Sequence, residues 1–202
     1  MSIPYEETGR TSQKKRTRDL LVSVTRQLVQ QGVASPNVEQ VAVAAGVSRT
    51  TAYRYFADQR ALLVAAHPEI NRTSLLEAEP PTDPEARFLA VVDAFTTLVV
   101  ETELQLRTML RLSLAEPATT NLPLRQGRAI GWFEEALEGV QPALPDNQLR
   151  RFVQAVRSAT GIEALVWLTD VAGLSRAESM EVMRWSARAL LKAALTDGPP
   201  PA

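Results

Sequence analysis

An all-α fold is predicted for this chain of 202 residues, and two observations predict it. Apolar residues recur at the spacing that places them on one face of an α-helix. Alternation of apolar and polar residues between turn signals, the pattern of a half-buried strand, is not evident. Hydrophobic residues make up 45% of the chain, enough for a packed core. Proline-rich breaks then divide the helices into a smaller N-terminal group and a larger C-terminal group.

The first helix is predicted in the segment TRDLLVSVTRQLVQQG. Its residues Leu20, Leu21, Val24 and Leu28 recur at helical spacing, and Gly32 is a suitable stop. These apolar side chains form the stripe that a small helical domain would bury.

Two short helices with a glycine between them follow. The first is predicted over residues 38–45, with Asn37 as its N-cap and a glutamine three residues later that completes a capping box. Gly46 ends it, because glycine adopts the left-handed conformation at low cost. Ser48 caps the second, which runs to Tyr55. This is the form of a helix-turn-helix, whose second helix enters the major groove of DNA.

The residue types on the second short helix suit that placement. Ala52 and Phe56 lie four residues apart and are expected to face the core. Arginine can make two hydrogen bonds to guanine, a threonine methyl group can contact thymine, and tyrosine hydroxyls can bond phosphate oxygens. The alternative is that both tyrosines are ordinary packing residues. The predicted base contacts are Arg49, Thr50 and Thr51, and the predicted phosphate contacts are Asn37, Tyr53, Arg54 and Tyr55.

The charge distribution favours a polyanionic partner for one end of the chain. Residues 10–60 hold nine Lys or Arg against three Asp or Glu, a net of +6, whereas the whole chain has a formal net charge of −1. The basic segment RTSQKKRTR lies where the first helix begins and could reach a DNA backbone or minor groove. The alternative is a basic face that contacts only solvent.

The segment NVEQVAVAAGVSRTTAYRYFADQRALL resembles the DNA-binding domain of the TetR (tetracycline repressor) family, and the resemblance covers about residues 12–66. It rests on Ala-Gly-Val-Ser followed by Thr-x-Tyr-x-Tyr-Phe. It implies a helix-turn-helix domain before a larger helical domain for ligand binding and dimerisation. The implied function is that of a homodimeric repressor released from a double-stranded DNA operator by a small-molecule effector. Thr50 stands where the family often has glycine, and Gln59 where it often has lysine.

The predicted domain organisation has four parts. The segment EAEPPTDPE reads as a linker, and the fourth helix of the N-terminal group, capped by Asp58, ends near His67 and Pro68, a plausible hinge. The four parts are a flexible arm (1–11), the DNA-binding domain (12–66), the effector-binding and dimerisation domain (67–195) and a disordered tail (196–202).

Dimerisation is predicted through the last helices of the chain. Two segments there are apolar on more than one side, and such a helix needs more than one partner. Burial inside a monomer is the alternative. The predicted dimer contacts are Ile162, Val166, Val182, Trp185 and Ala189.

An effector pocket is predicted from large apolar residues of the C-terminal group, for which ordinary core packing is the alternative. Arg107 and Arg111 lie one turn apart and could bind an acidic ligand or face solvent, whereas Glu134, Glu135 and Glu163 could bind a cationic one. The predicted lining residues are Phe95, Met109, Leu110, Trp132, Phe133 and Trp167.

Composition argues against several other classes. The chain has no cysteine and one histidine, His67, so it offers no metal constellation, and no catalytic motif or cofactor-binding glycine loop occurs. No signal peptide or apolar run long enough for a membrane helix is evident, which predicts a cytoplasmic protein. Three classes stay open: a ligand-responsive DNA regulator, a DNA-binding dimer controlled by a protein partner or its own abundance, and a helical interaction protein.

Overall fold

The computed structural model describes residues 5–33, 35–67, 72–115, 128–138 and 145–198. Every regular element in these ranges is a helix, which confirms the predicted all-α class. The chain divides into two compact units. The N-terminal unit consists of Met1–Asn71 with Arg111–Ala115, and the C-terminal unit consists of Arg72–Leu110 with Glu116–Ala202. None of the described helices is both long and apolar enough to cross a membrane.

The N-terminal unit contains four helices: α1 (Tyr5–Gln30), α2 (Val38–Ala44), α3 (Arg49–Tyr55) and α4 (Gln59–Ala66). Its core is one cluster that includes Leu21, Val41, Ala52, Phe56 and Leu62. Helix α1 begins at Tyr5, so residues 5–11, which fall within the predicted flexible arm, are helical. Residues 1–4 of that arm lie outside the described ranges.

Local side-chain bonds fix the short helices as the sequence predicted. Asn37 Oδ1 accepts from the Gln40 amide at 2.8 Å and Gln40 Oε1 accepts from the Asn37 amide at 2.9 Å, so the capping box is confirmed. Ser48 and Asp58 cap α3 and α4. Gly46 has a φ of +65°, the left-handed turn conformation that favours glycine.

The C-terminal unit is built from longer helices around a larger core. In chain order they are α5 (Pro84–Glu101), α6 (Glu103–Ala115), α7 (Arg128–Ala136), α8 (Asp146–Thr160), α9 (Ile162–Val166), a π-helix (Trp167–Val171) and α10 (Arg176–Thr196). The last residues of α6 belong to the N-terminal unit. Helix α10 packs against α5, α8, α9 and the π-helix, so it is the central helix of this unit.

The segment of residues 146–173 is not one continuous helix, because it is divided at Gly161. The backbone there is extended, and the Arg157 guanidinium occupies the space where a Cβ atom would stand. Arg157 reaches across it to Glu163 Oε2 at 3.3 Å and lies 5.4 Å from the Phe95 ring centroid. A side chain at position 161 would displace that guanidinium, which is the end of a long flexible side chain and can move aside.

The last helix reaches the first residue of the predicted C-terminal tail. Helix α10 ends at Thr196, with Asp197 as its C-cap. Residues 199–202 lie outside the described ranges, as does Pro68 of the predicted hinge, whereas His67 is buried at the C-cap of α4.

Candidate nucleic-acid interface

Helix α3 presents its polar side chains outward because one apolar residue anchors its inner side. Ala52 is fully buried, and Phe56 at the C-cap is buried in the same cluster. Arg49, Thr50, Tyr53 and Arg54 are exposed. The outer face of α3 therefore offers two guanidinium groups, a hydroxyl and a phenol to a partner.

The predicted base-contact residues differ in how many contacts their side chains make within the protein. Arg49 Nη1 lies 3.4 Å from Glu39 Oε2 of α2, while 68% of the Arg49 side chain stays exposed. Thr51 is half-buried, its amide donates to Ser48 Oγ at 3.1 Å, and the two hydroxyl oxygens lie 2.8 Å apart. Thr51 thus helps to cap its own helix, whereas Arg49 and Thr50 project outward.

The predicted phosphate contacts surround this face. The capping box uses the Asn37 carboxamide oxygen, which leaves its NH₂ group, the group a phosphate needs, as a donor. Tyr53 is 45% exposed. Tyr55 is half-buried against the core of the N-terminal unit, and the Arg54 guanidinium carbon lies 5.6 Å from its ring centroid.

The residue at the start of α4 is used within the protein. Gln59 Nε2 donates to the Ser35 carbonyl at 2.7 Å and to Ser35 Oγ at 2.8 Å. The neighbouring Arg60 is half-buried. The first turn of α4 therefore offers no fully exposed cation to a phosphate.

A second exposed surface lies in the C-terminal unit and is apolar. Helix α10 buries Met183, Ala187 and Leu191, and on another side it exposes Val182 and Trp185. Trp185 is 71% exposed and Trp167, on the π-helix, is 58% exposed. The π-helix and α10 pack against each other, so their exposed tryptophans lie on neighbouring elements. We call Trp167, Val171, Val182, Trp185 and Ala189 the apolar patch; all five are exposed.

Two residues predicted for a dimer interface do not belong to this patch. Ile162 is completely buried in the core of the C-terminal unit, so it cannot reach a partner. Val166 is half-buried and packs against the same core. The break at Gly161 sets the orientation of α9, and periodicity alone does not reveal it.

The residues predicted to line an effector pocket are separated. Phe95, Trp132 and Phe133 are buried together, with ring centroids 6.5 Å (Phe95–Trp132) and 5.4 Å (Phe95–Phe133) apart. The Trp132 indole donates to the Thr73 carbonyl at 3.1 Å. Trp167 is not with them but exposed, and on α6 Met109 is buried and Leu110 half-buried. The aromatic trio is close-packed core.

An open cavity of about 420 Å³ lies elsewhere, on α7 and the start of α8. Of its lining residues, the sequence had indicated only two glutamates of α7 as ligand candidates. The lining consists of Gly131, Glu134, Glu135, Glu138, Asp146 and Leu149.

Arg107, which could have bound an acidic ligand, is engaged within the protein. It donates to both Asp170 carboxylate oxygens at 2.6 and 2.7 Å, to Thr169 Oγ1 at 3.0 Å and to Glu103 Oε1 at 2.7 Å. Arg176 donates to Glu103 at 3.1 Å through both Nε and Nη2. This ion network joins the first turn of α6, the π-helix and the first turn of α10.

The network shifts the protonation of its members. Hydrogen bonds from Arg107 and then Thr169 lower the pKa of Asp170 to about 2. Burial acts to raise the pKa of Glu103, but hydrogen bonds from Arg176 and Arg107 outweigh it and the pKa lies below its usual value. The hydrogen bond to Asp170 raises the pKa of Arg107. The charged forms are therefore favoured throughout the network.

Comparison with known proteins identifies the N-terminal unit. Residues 20–66 match the family model described as bacterial regulatory proteins, tetR family. The match spans the end of α1 through α4 and so includes the whole outer face of α3. No curated protein gives a significant match to the chain.

Proposed function

We propose that this chain, whose residues 20–66 match the tetR family of bacterial regulatory proteins and support a DNA-binding transcriptional regulator of that family, is a homodimeric repressor which a small-molecule effector releases from a near-palindromic operator. The observation that supports the proposal best is the outer face of α3, with Arg49, Thr50, Tyr53 and Arg54 exposed over a buried Ala52. The protein acts in the cytoplasm, without a cofactor or an enzymatic step.

In the proposed complex α3 lies in the major groove. Arg49 leaves Glu39 and bonds a base edge, while Asn37, Tyr53, Arg54 and Tyr55 hold phosphates on either side. Breaking the Arg49–Glu39 pair costs little, because an ion pair this exposed contributes about 0–1 kcal/mol. Thr50 is available for a thymine methyl group, and Thr51 acts mainly through the cap of the helix.

The second copy of the chain covers the apolar patch. Pairing buries Trp167 and Trp185, which water surrounds in the single chain. In the proposed dimer the two α3 helices enter successive major grooves about 34–36 Å apart, one turn of DNA. Symmetry of the dimer then requires a near-palindromic operator.

The proposed effector acts from the C-terminal unit by favouring a dimer in which the α3 helices are wrongly spaced. It needs only a different affinity for the two states, typically about 1–3 kcal/mol of coupling. Close packing of Phe95, Trp132 and Phe133 favours the alternative, a DNA-binding dimer without a small-molecule ligand that a protein partner or abundance controls.

Selection from a pool of random duplexes tests the DNA-binding dimer. We expect enrichment of an inverted repeat whose half-sites lie about one helical turn apart. Enrichment of a single half-site would remove the dimer, and no enrichment at all would remove sequence-specific binding. The duplex obtained in this way is called the enriched duplex below.

Tryptophan emission separates the two forms of control. All three tryptophans, at positions 132, 167 and 185, belong to the C-terminal unit. A ligand that opens the aromatic trio should change the emission of Trp132 in the variant Trp167→Phe/Trp185→Phe and lower the affinity for the enriched duplex. A broad metabolite screen with neither effect would favour control by a partner or by abundance.

A further inference from the structure

The N-terminal part of α1 is helical without being packed. Helix α1 extends from Tyr5 to Gln30, yet Leu21 is the first buried side chain among those described along it. Residues 12–20 are exposed apart from the half-buried Thr17, whose hydroxyl bonds the Gln13 carbonyl at 3.1 Å. Core burial therefore does not explain why the helix continues so far.

This part of α1 is also strongly basic. Residues 12–18, the part of the basic segment whose side chains the structure describes, contain Lys14, Lys15, Arg16 and Arg18. Like charges four residues apart, such as Lys14 and Arg18, destabilise a helix. Among the residues that the structure describes, none forms an ion pair with Lys14, Lys15 or Arg16. Asp19, the next residue, carries one negative charge against these four positive ones, so residues 12–19 keep a net charge of +3 that an anionic partner would balance.

One interaction orients the segment relative to α3. The Arg18 guanidinium carbon lies 5.4 Å from the ring centroid of Phe56, the C-cap residue of α3. Lys14 and Lys15 precede Arg18 by four and three residues, so on a helix they lie on its side of α1. Arg16 precedes it by two residues and lies on the opposite side. The two lysines therefore lie on the same side of α1 as Arg18, the side that contacts the C-terminal end of α3.

Two other cations of the N-terminal unit are engaged within the protein. Arg26 donates to the Ala66 carbonyl at 2.9 Å, and Arg49 pairs with Glu39 at 3.4 Å. Lys14 and Lys15 are exposed and keep their ammonium groups for an external anion.

We propose that Lys14 and Lys15 bind DNA phosphates that flank the base pairs contacted by α3, so that α1 forms a second DNA-binding element of each protomer. The inference rests on the proposed DNA-binding function. Lysine acts here as a flexible point charge, which suits phosphate and carries no base preference. The two lysines contribute affinity and salt dependence, whereas α3 determines which sequence is bound.

Lysine-selective acetylation of the full chain tests this directly, because its only lysines are Lys14, Lys15 and Lys192. The protein is acetylated with and without the enriched duplex, and each site is quantified by mass spectrometry. We expect several-fold slower acetylation of Lys14 and Lys15 in the complex and no change at Lys192. The inference would be overturned if Lys14 and Lys15 were acetylated at the same rate with and without DNA, in a sample shown by anisotropy to be fully DNA-bound. Failure to bind DNA at all would instead overturn the proposed function.

Variants give an independent reading. Lys14→Gln/Lys15→Gln should reduce the slope of log Kobs against log salt by about 0.9 for each phosphate that is no longer neutralised. The enriched sequence should stay the same, because phosphate contacts carry no sequence information. Arg16→Gln, which removes one charge from the opposite side of the same helix, is the matched control and should leave the slope nearly unchanged. An equal change of the salt slope per removed charge in both variants would show that the two lysines have no special contact with DNA. Circular dichroism checks that each variant is folded.

Discussion

The outer faces of α3 and α10 show how one helical pattern can carry two different surface chemistries. Both helices have a serine N-cap and bury small side chains inward, Ala52 in α3 and Ala187 in α10. Outward, α3 exposes arginine, threonine and tyrosine, whereas α10 exposes Trp185 and other apolar residues. The chemistry of the exposed side chains, and not helix geometry, distinguishes a surface that suits a polyanion from one that suits an apolar partner.

Arg49→Ala should have the largest effect and should act on the α3 face alone. In each of two protomers it removes a bond to a base edge that contributes about 1–3 kcal/mol, so the Kd for the enriched duplex should rise roughly a hundredfold. Fluorescence anisotropy measures that change. Dimerisation, measured by sedimentation, should be unaffected.

Arg151→Ala is the matched control for that substitution. Arg151 is an exposed arginine of α8 in the C-terminal unit, and its replacement removes the same charge from the protein. If Arg151→Ala weakened binding as much as Arg49→Ala, net charge and not the α3 face would explain DNA affinity.

Trp185→Asp should have the next largest effect and should act first on the apolar patch. Because Trp185 is exposed in the single chain, the variant should fold. Loss of a buried interfacial tryptophan costs about 2 kcal/mol or more, so the dimer dissociation constant should rise at least roughly thirtyfold. Sedimentation equilibrium measures it.

Thr97→Asp places the same new charge at an exposed position of α5 and should leave the dimer intact. If Trp185→Asp left the dimer unchanged, the apolar patch would not be the dimer interface. The two copies would then pair through a different surface.

Arg107→Met should have a smaller effect that is confined to the stability of the C-terminal unit. It removes the bonds from Arg107 to Asp170 and Glu103, and solvent screening of this partly exposed network limits the expected loss in the free energy of unfolding to about 1 kcal/mol. Urea unfolding measures the loss. In the Asp170→Asn background, Arg107→Met should lower the free energy of unfolding by less than it does in the wild type, since the two substitutions remove the same ion pair.

The same network predicts a pH dependence of stability. The pKa of Asp170 is lowered to about 2 in the folded chain, below its ordinary value of 3.8. Its stabilising contribution is therefore complete above about pH 4 and is lost as the pH falls toward 2. Asp170→Asn should unfold with a weaker pH dependence in this range. An identical pH dependence in both proteins would mean that the carboxylate contributes nothing to folding.

The sequence predicted the N-terminal unit well because its signals are local. A cap and its partner lie three residues apart, and Gly46 sits between the two short helices, so neighbouring residues alone define α2 and α3. The residue types of the AGVS segment and of α3 then indicated the family that the comparison identified. What the sequence missed there was the packing of Arg18 on Phe56, an interaction between helices.

The C-terminal unit could be predicted only as a group of helices. Arg107 and Asp170 are 63 residues apart, and no local pattern connects them, although the spacing of Glu103 and Arg107 shows half of the network. The Ala172 amide bonds the Trp167 carbonyl, five residues earlier, as a π-helix requires. Trp167 begins this wider turn and is exposed, although its size and apolarity had suggested a pocket. Ile162 follows the break at Gly161 and is buried, although its apolar segment had suggested an interface.

Hydroxyl-radical labelling of aromatic side chains tests most directly the central claim that α3 binds DNA while α10 pairs two copies. The native dimer is labelled with and without the enriched duplex, and the modification of Tyr53 and Trp185 is quantified. We predict that DNA protects Tyr53, which is 45% exposed in the free chain, and leaves the labelling of Trp185 unchanged. Protection of Trp185 by DNA, or equal labelling of Tyr53 in the saturated complex, would contradict this division of the two surfaces.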